Sequence, residues 1–219
     1  MKWSGSNATP DSKVLGSLLQ GLEWLYGRAV NGVPALDSAG DLATNYQRRY
    51  LTGEGAVDAL IKWQMAKAGT AGFVSNFGGA ISLPVTLPAS IASVTYIQLR
   101  MIAAIAQIRG HDIHSKPVRT LALACLCGSR AADVAKDFGI KFGTHVAHEI
   151  VKRFSGDSLT QLNLAIACRV FSMTGAKVPV NLAKLAPVFG GVISGGIDAA
   201  LTRSYGATAK RLFLPLSAV

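Results

Sequence analysis

The chain has 219 residues, with 22 Lys plus Arg against 12 Asp plus Glu and a formal net charge of +10. Half of it is apolar and only 16% is charged, against about 25% in an ordinary soluble protein; this excludes a disordered chain, which needs low hydrophobicity and dense charge. Its 23 glycines follow no three-residue period, which excludes collagen.

The segment up to Ser17 has no apolar core ahead of a small-residue cleavage site, so no secretory signal is expected and the reading is intracellular. Val14, Leu15, Leu18, Leu19, Leu22 and Leu25 follow three- and four-residue steps and predict a first helix. Ser38 and Asp41, like Ser158 and Gln161, have the spacing of a capping box, so helices are expected to start near both. Glu54 to Lys67 reads as a short helix with Val57, Leu60 and Ile61 on one face. Pro88 suits the first turn of a long helix running to about Ile108, which Gly110 ends; Lys116-Pro117 opens the next. Leu121 to Leu126 reads as buried helix core. Arg130 to Phe154 predicts one long helix or two, with Gly139 and Gly143 as the weak point. Pro179 and Pro187 mark the entry to the last helices. No window alternates as a strand does, and there is no internal repeat or linker. The expectation is an all-α fold: a single compact domain over residues 1–219, with about eight to ten closely packed, glycine-rich helices.

From Ala68 to Leu99 no residue is charged. That length is enough to cross a bilayer, for which about 20 residues suffice. Gly72, Gly78, Gly79, Pro84 and Pro88 interrupt the run, and Ser, Thr, Asn and Gln residues are spread through it. Three readings stand: core helices joined by a proline-rich turn, a hairpin that enters or rests on a membrane, or a two-span membrane protein, which the polar content disfavours. A second greasy run, Leu185 to Ile197, is too short to span. Ala68, Gly72, Asn76 and Ala80 fall on one helix face, and Gly191, Gly195 and Ala199 on another. Small-residue stripes permit close helix crossing, and these two are expected to face each other.

An ordered series of residues resembles a known family. Gly72-Phe73, Gly78-Gly79, the run from Leu83 to Ala89, the run from Gln98 to Ala106, and Gly110-His111-Asp112 look like the central signature of the EcsC family. The run from Ala186 to Gly191, including Gly190, then Gly195-Gly196-Ile197-Asp198, Thr202, Gly206, Ala209 and Phe213 resemble its closing segment; Leu42 to Tyr46 resembles its early part. The likeness covers about residues 35 to 215. His111 stands where the family often has Tyr, and Ala186 where it often has Ile or Val. The resemblance implies a bacterial, helical protein, and the family's name comes from a gene beside an ABC transporter linked to protein secretion. It supplies no catalytic residues.

Cys125, Cys127 and Cys168 lack the two-residue spacing of zinc or redox pairs and read as buried small hydrophobes in a reducing compartment. His111 with His114, and His145 with His148 beside Glu149, have helical spacing for a shared metal, but the first pair sits at a helix end beside Gly110, so no metal is expected. No Gly-x-Ser-x-Gly elbow and no phosphate loop occurs. No catalytic residue and no cofactor is assigned. Asp58, Arg100, Asp112 and Asp198 border the greasy segments; they are the candidate polar contacts, either structural ion pairs or groups that meet a lipid headgroup or partner. Gly72, Gly78, Gly79, Pro84, Pro88, Gly190, Gly191 and Gly195 are the candidates for lipid contact or helix crossing.

Residues 138–219 hold nine bases against three acids, and residues 1–137 hold thirteen against nine. A cationic surface suits anionic lipid. Aromatics do not interleave with the basic residues, so nucleic acid is not expected as a partner. The leading expectation is therefore a non-enzymatic, membrane-associated protein that binds lipid or assists a transporter or secretion component. Its place would be cytoplasmic, peripheral to the inner face of the cell membrane. The alternative is a soluble interaction module with its greasy segments as core, and the third reading is a hydrolase or other enzyme of unknown chemistry.

Overall fold

The computed structural model describes residues 12–34, 36–68, 89–137, 157–173 and 191–216. These form eight α-helices: α1 (Ser12–Asn31), α2 (Ala39–Arg49), α3 (Gly53–Ala68), α4 (Ala89–Ile108), α5 (Lys116–Cys125), α6 (Ala131–Asp137), α7 (Asp157–Met173) and α8 (Gly191–Leu212). A 3-10 turn, Gly128–Arg130, precedes α6. Among the described residues there is no strand, only an isolated bridge between Val33 and Leu36. The fold is all-α.

Local chemistry places the helix ends. Ser38 caps α2 through its Oγ, which accepts from the Asp41 N–H at 3.0 Å, and the Asp41 carboxylate accepts from the Ser38 N–H in return. This reciprocal cap satisfies two of the donors that a helix start leaves open. Pro117 occupies the first turn of α5, where a missing N–H costs nothing. Gly110 follows α4 at φ +86°, and the site of its absent Cβ is 3.6 Å from Leu216. Only glycine takes that left-handed backbone without strain.

α4 is the centre of the molecule. Leu99, Met101, Ile102, Ala103, Ala104, Ile105 and Ala106 are all fully buried, so the helix is enclosed on every side, as one that is apolar all round should be. α1, α2, α3, α5 and α8 pack on it. Leu19, Leu22, Leu25 and Tyr26 from α1, Val57, Leu60 and Ile61 from α3, Leu121 and Leu123 from α5, Ile166 from α7 and Phe213 after α8 join one contiguous core.

This arrangement divides the uncharged run. Its last residues, Ala92 to Leu99, lie in α4, where Tyr96, Ile97 and Leu99 are buried by protein. No helix among the described residues is long and apolar enough to cross a membrane. Gly72, Gly78, Gly79, Pro84, Pro88 and Gly190 lie outside the described residues. So does the helix expected over residues 72–80, and with it the crossing of the two stripes.

A close helix crossing occurs elsewhere, between α8 and α3. A Cβ on Gly206 would lie 2.8 Å from Ile61 Cγ1 and 3.1 Å from both Cγ2 and Cδ1. Gly191 and Gly195 sit in the first turns of α8, and Gly196, beside them, faces open space. This contact lies in the later turns of α8, past Gly191, Gly195 and Ala199.

Sequence and structure agree on the start of α7 and differ over one cysteine. α7 begins at Asp157, so a helix starts beside Ser158, as the Ser158–Gln161 spacing predicts. Cys168 is half-buried, whereas Cys125 and Cys127 are buried as expected. Burial pushes both of those thiols up, Cys127 to about 12, so neither is a thiolate at neutral pH.

Candidate functional site

Polar chemistry concentrates where α4 ends. Arg109, one residue past the helix, is buried and pairs through Nη2 with Oε2 of Glu54 in the first turn of α3. Lys210, in the last turn of α8, pairs with the other oxygen of Glu54 and with Asp58 Oδ1 at 2.7 Å. Glu54 and Asp58 are four residues apart and therefore share a face of α3. Hydrogen bonds from Lys210 and then Arg109 hold the Glu54 carboxyl below its usual range. Asp58 first, then Glu54, holds the Lys210 ammonium above its usual value. The cluster ties α3, α4 and α8 together at one end of the core.

The residues after α8 fold over that same end. Phe213 is fully buried and meets the His111 ring edge-on, with centroids 5.3 Å apart at 61°. His111 Nε2 donates to the Leu214 carbonyl at 2.8 Å, and the Leu216 N–H donates to the Arg109 carbonyl at 3.0 Å. The Tyr26 hydroxyl donates to the Ile113 carbonyl at 2.8 Å, anchoring the loop from α1.

His111 is thus a strut for the C-terminal segment. Burial lowers its pKa from 6.5, outweighing its backbone hydrogen bond. A histidine whose folded pKa lies below its unfolded value favours folding fully above the unfolded value, and that contribution is lost as pH falls through the folded one. Thermal stability is therefore expected to drop below about pH 6.5, and His111→Gln is expected to flatten that part of the profile. Parallel melting curves of the two proteins from pH 7.5 to 5 test this; identical slopes would exclude the histidine as the cause.

The four candidate polar residues lie in separate surroundings. Asp58 belongs to the Lys210 cluster. Arg100 is 2% exposed, and its Nη1 donates to the Asp37 carbonyl at 3.0 Å. Burial lowers its pKa, opposed by Tyr96, Asp37 and Tyr46, so it is a core tie between α4 and the start of α2. Asp112 is exposed and organises a turn: its Oδ1 accepts from the His114 N–H at 2.9 Å, and its carbonyl accepts from the Ser115 hydroxyl at 2.8 Å. Asp198 lies half-buried near the start of α8, with its pKa raised by burial. The structure does not gather these four into one site. Gln98 and Thr202 form a further buried polar link, at 3.3 Å, between α4 and α8.

Among the described residues no three His, Cys, Asp or Glu side chains gather as metal ligands; His145 and His148 lie outside them. Glu54, Arg109 and Lys210 did not stand out in the sequence. The one local signal was the four-residue spacing of Glu54 and Asp58, since their cationic partners lie 55 and 152 residues away.

The family model for the EcsC protein family matches residues 52–214, most of the chain. The chain belongs to the EcsC protein family. The matched stretch runs from the turn before α3, through α4 and its ion cluster, to Leu214 in the strap over His111. Leu42 to Tyr46, read above as EcsC-like, precede the matched range. No curated protein and no solved structure matches the chain significantly.

Proposed function

We propose that this EcsC-family protein is a non-enzymatic helical protein that docks peripherally on anionic membrane and assists a transport or secretion system at the cytoplasmic face. The observation that carries the reading is the charge balance: a net +10 on a chain with twelve acids. Two of those acids, Glu54 and Asp58, are already engaged by Arg109 and Lys210. Basic residues near an anionic bilayer each contribute about 1 kcal/mol, and counter-ions screen exposed charges beyond about 8 Å at physiological ionic strength.

The specific observation on the other side is that α4 buries the end of the uncharged run in protein, which favours a soluble interaction module. Vesicle sedimentation separates the two. The expected result is binding to phosphatidylglycerol-containing vesicles, little binding to pure phosphatidylcholine, and release as salt rises. Equal binding to both compositions overturns the electrostatic reading, and binding to neither favours the interaction module.

A further inference from the structure

The turn between α2 and α3 has an unusual surface. Gln47 to Glu54 are all exposed. Within them Arg48-Arg49 is followed by Tyr50, which is 42% exposed, and Leu51, which is completely so. An isolated exposed leucine needs no explanation. Here it sits at a tip beside an aromatic ring and two guanidinium groups. Local contacts hold the tip: the Tyr50 ring stacks on Tyr46 at 6.1 Å and 7°, and the Tyr50 N–H donates to the Tyr46 carbonyl at 3.1 Å.

Other apolar and basic groups surround the same end of the core. Gly53, two residues past Leu51, lies against Ile108 at the end of α4. Leu216, 56% exposed, covers Gly110 just beyond it. Arg211 is exposed beside Lys210, whose ammonium reaches back to Glu54. The acids of this end are largely engaged: Glu54 and Asp58 bind Arg109 and Lys210, and Asp112 holds its own turn. Arg48, Arg49 and Arg211 make no ion pair among the described residues.

We infer that this end is the membrane-docking face: Tyr50 and Leu51 enter the headgroup layer of an anionic bilayer, Leu216 rests on it, and Arg48, Arg49 and Arg211 meet lipid phosphates. An aromatic ring and an aliphatic side chain at the interface, ringed by cations, is the pattern of an interfacial anchor. The inference rests on the membrane reading above and specifies which surface performs it.

The test uses the whole chain and vesicles of phosphatidylcholine with and without phosphatidylglycerol. Three variants are compared with the unaltered protein: Leu51→Asp, the pair Arg48→Glu with Arg49→Glu, and Trp63→Ala. Trp63 is exposed on the body of α3, away from the tip, and serves as the control. Each basic residue at the surface is worth about fivefold in binding, so the double charge reversal is expected to weaken anionic-vesicle binding by at least about tenfold. Leu51→Asp is expected to do the same, and Trp63→Ala to leave binding unchanged. The three mutated sites are solvent-exposed, so unchanged melting temperatures accompany the expected result. Full binding by both tip variants, with binding intact in the unaltered protein, overturns this docking face but leaves the membrane reading standing. Loss of binding in Trp63→Ala alone does the same and moves the face to α3. No binding by the unaltered protein overturns both.

Discussion

Replacing Phe213 with alanine is expected to lower the melting temperature by about 6–20 °C. The ring is fully buried against His111, and deleting a buried phenylalanine side chain costs about 3–5 kcal/mol. In a chain of this size each kcal/mol moves the midpoint by about 2–4 °C. The loss exceeds one side chain's burial, because Phe213 positions the carbonyl of Leu214 on His111 and the N–H of Leu216 on Arg109. Phe213→Leu keeps most of the volume and is expected to cost less than about 1.5 kcal/mol. Calorimetry or circular dichroism melts of both variants check the pair. An alanine variant as stable as the leucine variant would show that the strap is not anchored by this ring.

Gly206→Val is expected to be the second large loss, near 3 kcal/mol, with Gly206→Ala nearer 1–2 kcal/mol, by overpacking of the α3–α8 crossing. A Cβ there would overlap all three outer carbons of Ile61. Intrinsic helix preference acts the other way, since glycine to alanine in an exposed helix gains up to about 1 kcal/mol. Gly196 on the same helix has nothing within 4 Å of its absent Cβ. Gly196→Ala is therefore expected to be neutral or stabilising while Gly206→Ala destabilises. Adding Ile61→Val to Gly206→Ala should recover part of the loss, giving a favourable coupling in a double-mutant cycle. Equal effects of alanine at 196 and 206 would refute the close approach.

The signals that sequence carried were local ones. The Ser38–Asp41 cap, Pro117 at the start of α5, Gly110 after α4 and the apolar face of α3 each depend on neighbours within a few residues, and each appears where the spacing placed it. The Ser158–Gln161 spacing likewise lies at the start of α7. The Gly191-Gly195-Ala199 stripe lies on α8, while the close contact the described residues show is at Gly206. Gly206 carries the contact because Ile61, 145 positions earlier in the chain, happens to face it. The ion cluster escaped for the same reason: Glu54 and Asp58 announce a shared face, while Arg109 and Lys210 arrive from two other helices. The tip at Tyr50 and Leu51 was legible only as apolar residues in a polar turn, and its surroundings at the end of α4 required the fold.

The pairing of α3 with α8 has a consequence for how the chain is made. Asp58 and Lys210 are separated by 152 positions, so the ribosome releases α3 well before the helix that covers it. At about 5–20 residues per second the interval is roughly 8–30 s. During it Gly206 has not yet reached Ile61, nor Lys210 the shared face of Glu54 and Asp58. Closure of α8 on α3 is therefore a late, long-range event in the making of the chain.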